Sequence, residues 1–173
     1  TWMKSIDAAV HQLTAVVQRT RQQKVIWHTE DVRRAIEESD KSPNPALITS
    51  PKFVIAGYNA RILLRINRDN GVAWLGVVFG LCPGSQDDLL QWPFLSPFEL
   101  SFLHPTNSTR NVRRTFPSAY AEGKSLGLVK KPKKECAKGW LGFRNFEKIS
   151  ALRHNGFQLD DGLSVAVELY PRA

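Results

Sequence analysis

Two pairs of adjacent carboxylates, Asp87-Asp88 and Asp160-Asp161, are the groups best suited by type and spacing to acid–base chemistry, because a positioned carboxylate can exchange a proton with a reacting group. Both pairs flank turns, where Asp favours hydrogen bonds to its own local backbone, so the structural reading is preferred. The histidines, His11, His28, His104 and His154, are scattered, and neither Cys82 nor Cys136 has a histidine beside it in sequence. No glycine-rich phosphate loop and no metal-ligand spacing appears. The chain is therefore expected not to be an enzyme, and to use no metal and no cofactor. With only two cysteines, buried or surface thiols in a reducing, cytoplasmic compartment are expected in preference to a bridge.

The elements that would position these groups can be read from periodicity. Met3, Ile6, Val10, Leu13 and Val17 step by three and four, an a/d seam with no Gly or Pro before Pro43. Residues 1–24 are expected to form a short coiled-coil oligomerisation helix, and residues 25–173 a second domain. In that domain Val25-Ile26-Trp27 reads as a first strand and Asp31 to Glu38 as a short helix with early acids. From Tyr58 to Asn67 apolar residues alternate with polar ones, giving a buried face and a mostly wet face. Asp69-Asn70-Gly71 is a hairpin turn, since Asn-Gly tolerates positive φ at both central positions, and Val72 to Leu81 returns. Phe98 to Leu103, Val112 to Phe116, Ser125 to Val129 and Leu163 to Leu169 read as further strands. Many short strands separated by turns indicate an all-β antiparallel β-sandwich of about eight strands. Between them, Asp87-Asp88-Leu89-Leu90-Gln91-Trp92-Pro93-Phe94 is expected to dive into the core as a plug, because Pro93 cannot extend a hydrogen-bonded strand.

The 173 residues carry a formal charge of +8. Between Arg110 and Lys148 the basic residues far outnumber Glu122, Glu135 and Glu147, so this region should favour anionic partners. Lys130-Lys131-Pro132-Lys133-Lys134 must be a loop, since crowded like charges with a proline do not pair inside a sheet. No apolar run is long enough to cross a membrane, and Thr1 as first residue suggests a piece of a longer chain. Asn107-Ser108-Thr109 fits a glycosylation acceptor but is read as a polar turn.

The order of a Gly57-Tyr58 strand, an Asn70-Gly71 hairpin, an apolar strand, Gly84 and then Asp87 to Phe94 resembles the TRAF-C or MATH domain of the tumour-necrosis-factor-receptor-associated factors. Val25-Ile26-Trp27, Ser50-Pro51-Lys52-Phe53 and Leu159-Asp160-Asp161 resemble that family's first strand, its Ser-Pro-x-Phe segment and its last strand, so the likeness spans roughly Lys24 to Tyr170. The resemblance implies an oligomeric scaffold, a parallel homotrimer, that recruits short peptide segments of receptor tails or adaptor proteins. Carried over position by position, its peptide groove falls on Arg65, Asp69, Val78, Phe116, Ser125, Gly127, Lys138 and Gly139. The departures are specific. Leu63 and Arg65 stand where receptor-binding members carry Arg and Tyr, Val78 replaces a pocket aromatic, the run of serines shrinks to Ser125, and Lys138 replaces a groove serine. Lys138 and Arg65 suggest a preference for acidic or phosphorylated segments. The alternatives are a substrate-recognition or structural oligomerisation module of another ubiquitin-pathway protein, and, as an outside reading, a basic nucleic-acid binder.

Overall fold

In the computed structural model residues 4–6, 23–117, 129–137 and 141–170 are described. Residues 4–6 are helical, with Ile6 half exposed; Met3, Val10, Leu13 and Val17 of the expected coiled coil lie outside the described residues, as do Ser125, Gly127, Lys138 and Gly139 of the expected groove.

The rest follows the strand pattern. In chain order the elements are β1 (Lys24–Thr29), α1 (Val32–Ser39), β2 (Ala46–Thr49), β3 (Phe53–Ile55), β4 (Tyr58–Asp69), β5 (Val72–Cys82), β6 (Phe98–Leu103), β7 (Val112–Phe116), β8 (Leu141–Lys148), α2 (Ile149–His154) and β9 (Leu163–Leu169). One sheet has the order β1-β9-β6-β7, the other β2-β4-β5-β8 with β3 also on β4, and every pairing is antiparallel. The described residues thus hold nine strands where about eight are expected. Neither β2 nor β3 is read as a strand from the sequence; they run in line along β4, interrupted at Ser50-Pro51, while residues 125–128 of the expected strand Ser125 to Val129 lie outside the described residues. Proline has no N–H to donate there, and the Ser50 hydroxyl accepts from Ile62 N–H at 2.8 Å while Ser50 N–H donates to the Ile62 carbonyl at 2.8 Å.

The β4–β5 hairpin forms as its sequence dictates. Asn70 and Gly71 take φ of 52° and 79°, and the register runs from Asp69↔Val72 to Asn59↔Cys82. Ala60, Ile62, Leu64 and Ile66 point inward and are buried. The opposite face is drier than the alternation predicts, because Arg61, Leu63 and Arg65 are half-buried and Asn67 is buried. α1 lies where expected, although Asp31 makes no side-chain cap. Instead Asp31 N–H donates to Thr29 Oγ1 at 3.2 Å and its carboxylate pairs with Arg34 at 3.8 Å. α2 is not anticipated by periodicity, since its single turn and a half buries only Ile149 and Leu152.

Between the sheets lies an aromatic core. Phe79 touches Phe94 and Phe98 at ring distances of 5.9 and 5.2 Å, Phe98 stacks on Phe116 at 5.1 Å, and Phe102 packs on Phe146 at 4.6 Å. Phe94 is the plug: it is 1% exposed, meets Tyr58 edge-on at 5.0 Å, and donates its N–H to the Val129 carbonyl at 2.6 Å. Trp92, preceding a cis peptide bond to Pro93, is only half-buried, and Leu89 is 72% exposed. The loop therefore enters the core through Phe94 and not through its leucine pair. The reason is a 3₁₀ turn at Asp87–Leu89 that rotates Leu89 outward while Asp87 turns in.

The cysteines depart from expectation. Cys82, the last residue of β5, and Cys136, in the lysine loop, form a disulfide. They meet because the chain entering β8 runs back along β5, with Ala137 N–H donating to the Leu81 carbonyl at 2.8 Å. This bridge removes the ground on which a reducing compartment is inferred from the sequence. No helix among the described residues is long and apolar enough to cross a membrane.

Candidate functional site

Strand alternation sends Arg61, Leu63, Arg65 and Asn67 to the outer face of the β2-β4-β5-β8 sheet, opposite the core face of β4. Across from Arg65 on β5 stands Gly76, where the pairing with β8 shifts register between Leu75 and Val77. A Cβ at Gly76 would collide with the Arg144 carbonyl, so the glycine is what lets β8 fold close over this point. The bulge brings Arg144 and Asn145 beside Arg65, and the loop at Pro43 closes the far side. A trough of about 400 Å³ results, lined by Arg65, Asn67, Asp69, Arg144, Asn145 and Pro43 among others.

Its polar groups form a connected network. Arg65 Nε donates to Asn67 Oδ1 at 2.7 Å, and Asn67 Nδ2 donates to the Arg144 carbonyl at 2.7 Å. Asn145 Nδ2 donates to Asp69 Oδ2 at 3.3 Å, while the buried Asn145 Oδ1 has no hydrogen-bond partner among the described residues. Arg68 is neutralised by Asp40. Arg65 and Arg144 have no carboxylate within ion-pair reach among the described residues. Partial burial, and next the like charge of Arg144, hold the Arg65 guanidinium below its ordinary value. Two cations that repel each other in a half-dry trough are suited to a carboxylate or phosphate, which a planar guanidinium grips in bidentate fashion.

An apolar strip borders these cations. Leu47 pairs in register with Arg65, and Leu63 with Val78, which in turn pairs with Gly142. Leu47 is exposed, whereas Leu63 and Val78 are half-buried. The structure therefore brings three of the expected groove positions, Arg65, Asp69 and Val78, onto one sheet face. Asp69 is engaged by an amide and not by an arginine. Phe116 is placed differently, at 2% exposure, where it backs β8 through Phe143 at 6.0 Å and does not line the trough. Arg144 and Asn145 escape a reading by sequence. The one available signal is the alternation of Leu141, Phe143 and Asn145 with Gly142 and Arg144, and the bulge at Gly76 breaks that alternation's register. The carboxylate pairs hold no reacting geometry: Asp88 is exposed and bonded to Lys131, which lowers its pKa, and Asp160 pairs with Arg153 at 3.5 Å. No group of three or more His, Cys, Asp or Glu able to hold a metal is found among the described residues.

A two-sheet antiparallel sandwich that displays a charged trough and an apolar strip on an outer sheet face has the architecture of a protein-interaction module. The chain belongs to the MATH domain family, whose model matches residues 24–169. It superposes on the structure of Notothenia coriiceps TRAF5 with a TM-score of 0.72 at 20% sequence identity, covering 99% of this chain and 86% of that one, so the TRAF-type fold is shared. No curated protein sequence matches the chain. Membership and fold together make this a protein-interaction adaptor module in general terms.

Proposed function

We propose that the chain is an oligomeric, non-enzymatic adaptor that recruits short acidic peptide segments of receptor tails or signalling partners, and that it trimerises through Met3, Ile6, Val10, Leu13 and Val17. The observation that carries this reading is the Arg65–Arg144 pair, half-buried on β4 and exposed on β8, beside the Leu47, Leu63 and Val78 strip and with no carboxylate in ion-pair reach among the described residues, Asp69 of the same trough being engaged by Asn145. A charge-assisted hydrogen bond contributes about 1.5 to 3 kcal/mol, whereas solvent-exposed pairs contribute only about 0 to 1 kcal/mol. One such trough gives weak binding. Linking several on one coiled coil multiplies avidity by roughly 10² to 10⁴ when the partner is itself clustered, which is the role assigned to the N-terminal seam.

Two measurements test the proposal. In the first, fluorescence anisotropy compares a labelled peptide of alternating Glu and Leu with its Gln-for-Glu counterpart. The acidic form should bind, and Arg65→Ala and Arg144→Ala should each weaken it about tenfold; equal binding of the two peptides rejects the acidic preference. A steep loss of affinity with salt for DNA but not for peptide would favour the nucleic-acid reading instead. In the second, light scattering on the whole chain and on one starting at Val25 should give a trimer and a monomer. A dimer that survives loss of the helix would refute the trimer.

A further inference from the structure

At the opposite end of β5 from the arginine trough, immediately beyond Cys82, a cavity of about 960 Å³ opens between the plug loop and the lysine loop. This volume lies at the upper end of the roughly 300 to 1,000 Å³ typical of ligand clefts. Pro83, Trp92, Pro93 and Pro132 supply its apolar walls, and Lys130 and Lys133 its rim. Lys131, also at the rim, is neutralised by Asp88, but Lys130 and Lys133 have no carboxylate within ion-pair reach among the described residues.

The floor holds an anomaly. Asp87 is 5% exposed, and its Oδ2 accepts from Gly84 N–H at 2.9 Å, closing the turn before the plug. Its Oδ1 is buried with no hydrogen-bond partner among the described residues, although Asp87 lines the cavity. The turn needs one oxygen only, and a Ser side chain could supply it. The second oxygen, Oδ1, is closed off even from water, so it does not select the occupant; the walls and the rim do. Proline and tryptophan walls take an apolar side chain, and rim ammonium groups without a carboxylate partner among the described residues take carboxylates.

We infer that this cleft is a second docking site, separate from the arginine trough, for a peptide segment carrying one bulky apolar residue flanked by acidic ones. The apolar side chain sits against Trp92 and Pro93, and the flanking carboxylates pair with Lys130 and Lys133.

The test is a titration of the isotope-labelled protein with the acetylated, amidated peptide Glu-Glu-Leu-Glu-Glu, followed by NMR. The Trp92 indole N–H, which donates to the Asp87 carbonyl at 2.8 Å, and the Gly84 N–H report directly on the cleft. Both signals should shift saturably. Lys133→Glu and Lys130→Glu, both exposed-loop changes, should each weaken that binding at least about fivefold, and Arg65→Glu should leave it unchanged. Shifts abolished by Arg65→Glu but retained in Lys133→Glu would assign the peptide to the trough and overturn the second site. Linear shifts spread over all lysine neighbours, or equal binding of Gln-Gln-Leu-Gln-Gln, would overturn it as well. So would a molar mass that falls to that of a smaller oligomer in Lys133→Glu without peptide, since the occupant would then be another copy of this chain.

Discussion

Breaking the Cys82–Cys136 bridge while leaving every other atom in place tests how the lysine loop is held. The bridge spans 54 residues and closes a loop containing the plug, β6 and β7. For a loop of that length the chain-entropy relation gives about 14 cal/mol/K lost from the unfolded ensemble, or about 4 kcal/mol at 25 °C. With a urea slope of about 2 kcal/mol/M, suited to a domain of this size, reduction should lower the unfolding midpoint by roughly 2 M. The assay is equilibrium urea unfolding of one preparation with and without dithiothreitol, alongside the Cys82→Ala/Cys136→Ala double variant. Reduced protein and double variant should agree to within about 1 kcal/mol, the remainder reflecting loss of sulfur packing at Cys82, which is fully buried. Identical midpoints with and without reductant, with both thiols titratable in the unfolded untreated protein, would refute the bridge. A large loss in the double variant with none on reduction would show that packing, and not the cross-link, is what stabilises this end of the sandwich. The same experiment run on protein trapped with an alkylating agent inside cells reads the compartment, since a cytoplasmic glutathione pool keeps such pairs open.

Within the plug loop, Phe94→Ala should destabilise the domain by about 3 to 5 kcal/mol, because Phe94 is buried against Phe79 and Tyr58; Leu89→Ala, at an exposed position, should stay within about 0.5 kcal/mol, both measured by the shift in urea midpoint. Tyr58 donates its hydroxyl to the Gln91 carbonyl at 2.7 Å, and burial, with the Asp87 charge adding, raises its pKa. The folded state therefore binds the phenolic proton more tightly than the unfolded chain, so this contribution is full below about pH 10 and is lost as pH rises through the folded value. Tyr58→Phe should flatten that loss in urea midpoints measured on either side of pH ~10, at a cost of about 0.5 to 1.5 kcal/mol at neutral pH.

What is legible in this sequence is whatever depends on near neighbours. The Asn70-Gly71 turn needs positive φ at two adjacent residues, and the chain states it directly. The inward set Ala60, Ile62, Leu64 and Ile66 follows from a period of two. Arg65 and Asp69 share a strand, so their joint place at the hairpin end of β4 follows too. What is not legible depends on how distant strands meet. Arg144 reaches Arg65 only because Gly76 admits a bulge 68 positions upstream of it, and nothing in either local sequence announces that pairing. Cys82 and Cys136 pair because the lysine loop returns along β5, and two cysteines this far apart carry no spacing signal. Phe116 has the apolar character of a groove wall but, at the edge of the other sheet, its ring turns into the core. Leu89 and Phe94 are equally apolar in the sequence, and only the 3₁₀ turn decides which enters.

The distribution of unpaired polar groups separates fold from function in this domain. Where a polar group serves the fold, its partner is local and complete: Ser50 with Ile62, the Gly84 N–H with Asp87 Oδ2, Arg68 with Asp40. Of the three buried side-chain atoms without a partner among the described residues, Asn145 Oδ1 belongs to the arginine trough, Asp87 Oδ1 lies beneath the lysine-rimmed cleft, and Arg61 Nε on β4 belongs to neither. Arg65 and Arg144 at one concavity, and Lys130 and Lys133 at the other, are cations without a carboxylate in ion-pair reach among the described residues, each pair beside half-buried apolar surface, which is what the free form of the two proposed sites should look like. With both proposed sites occupied, the domain would act through linkage, with specificity set by a partner that presents both an acidic tail to the arginines and an acid-flanked apolar residue to the cleft.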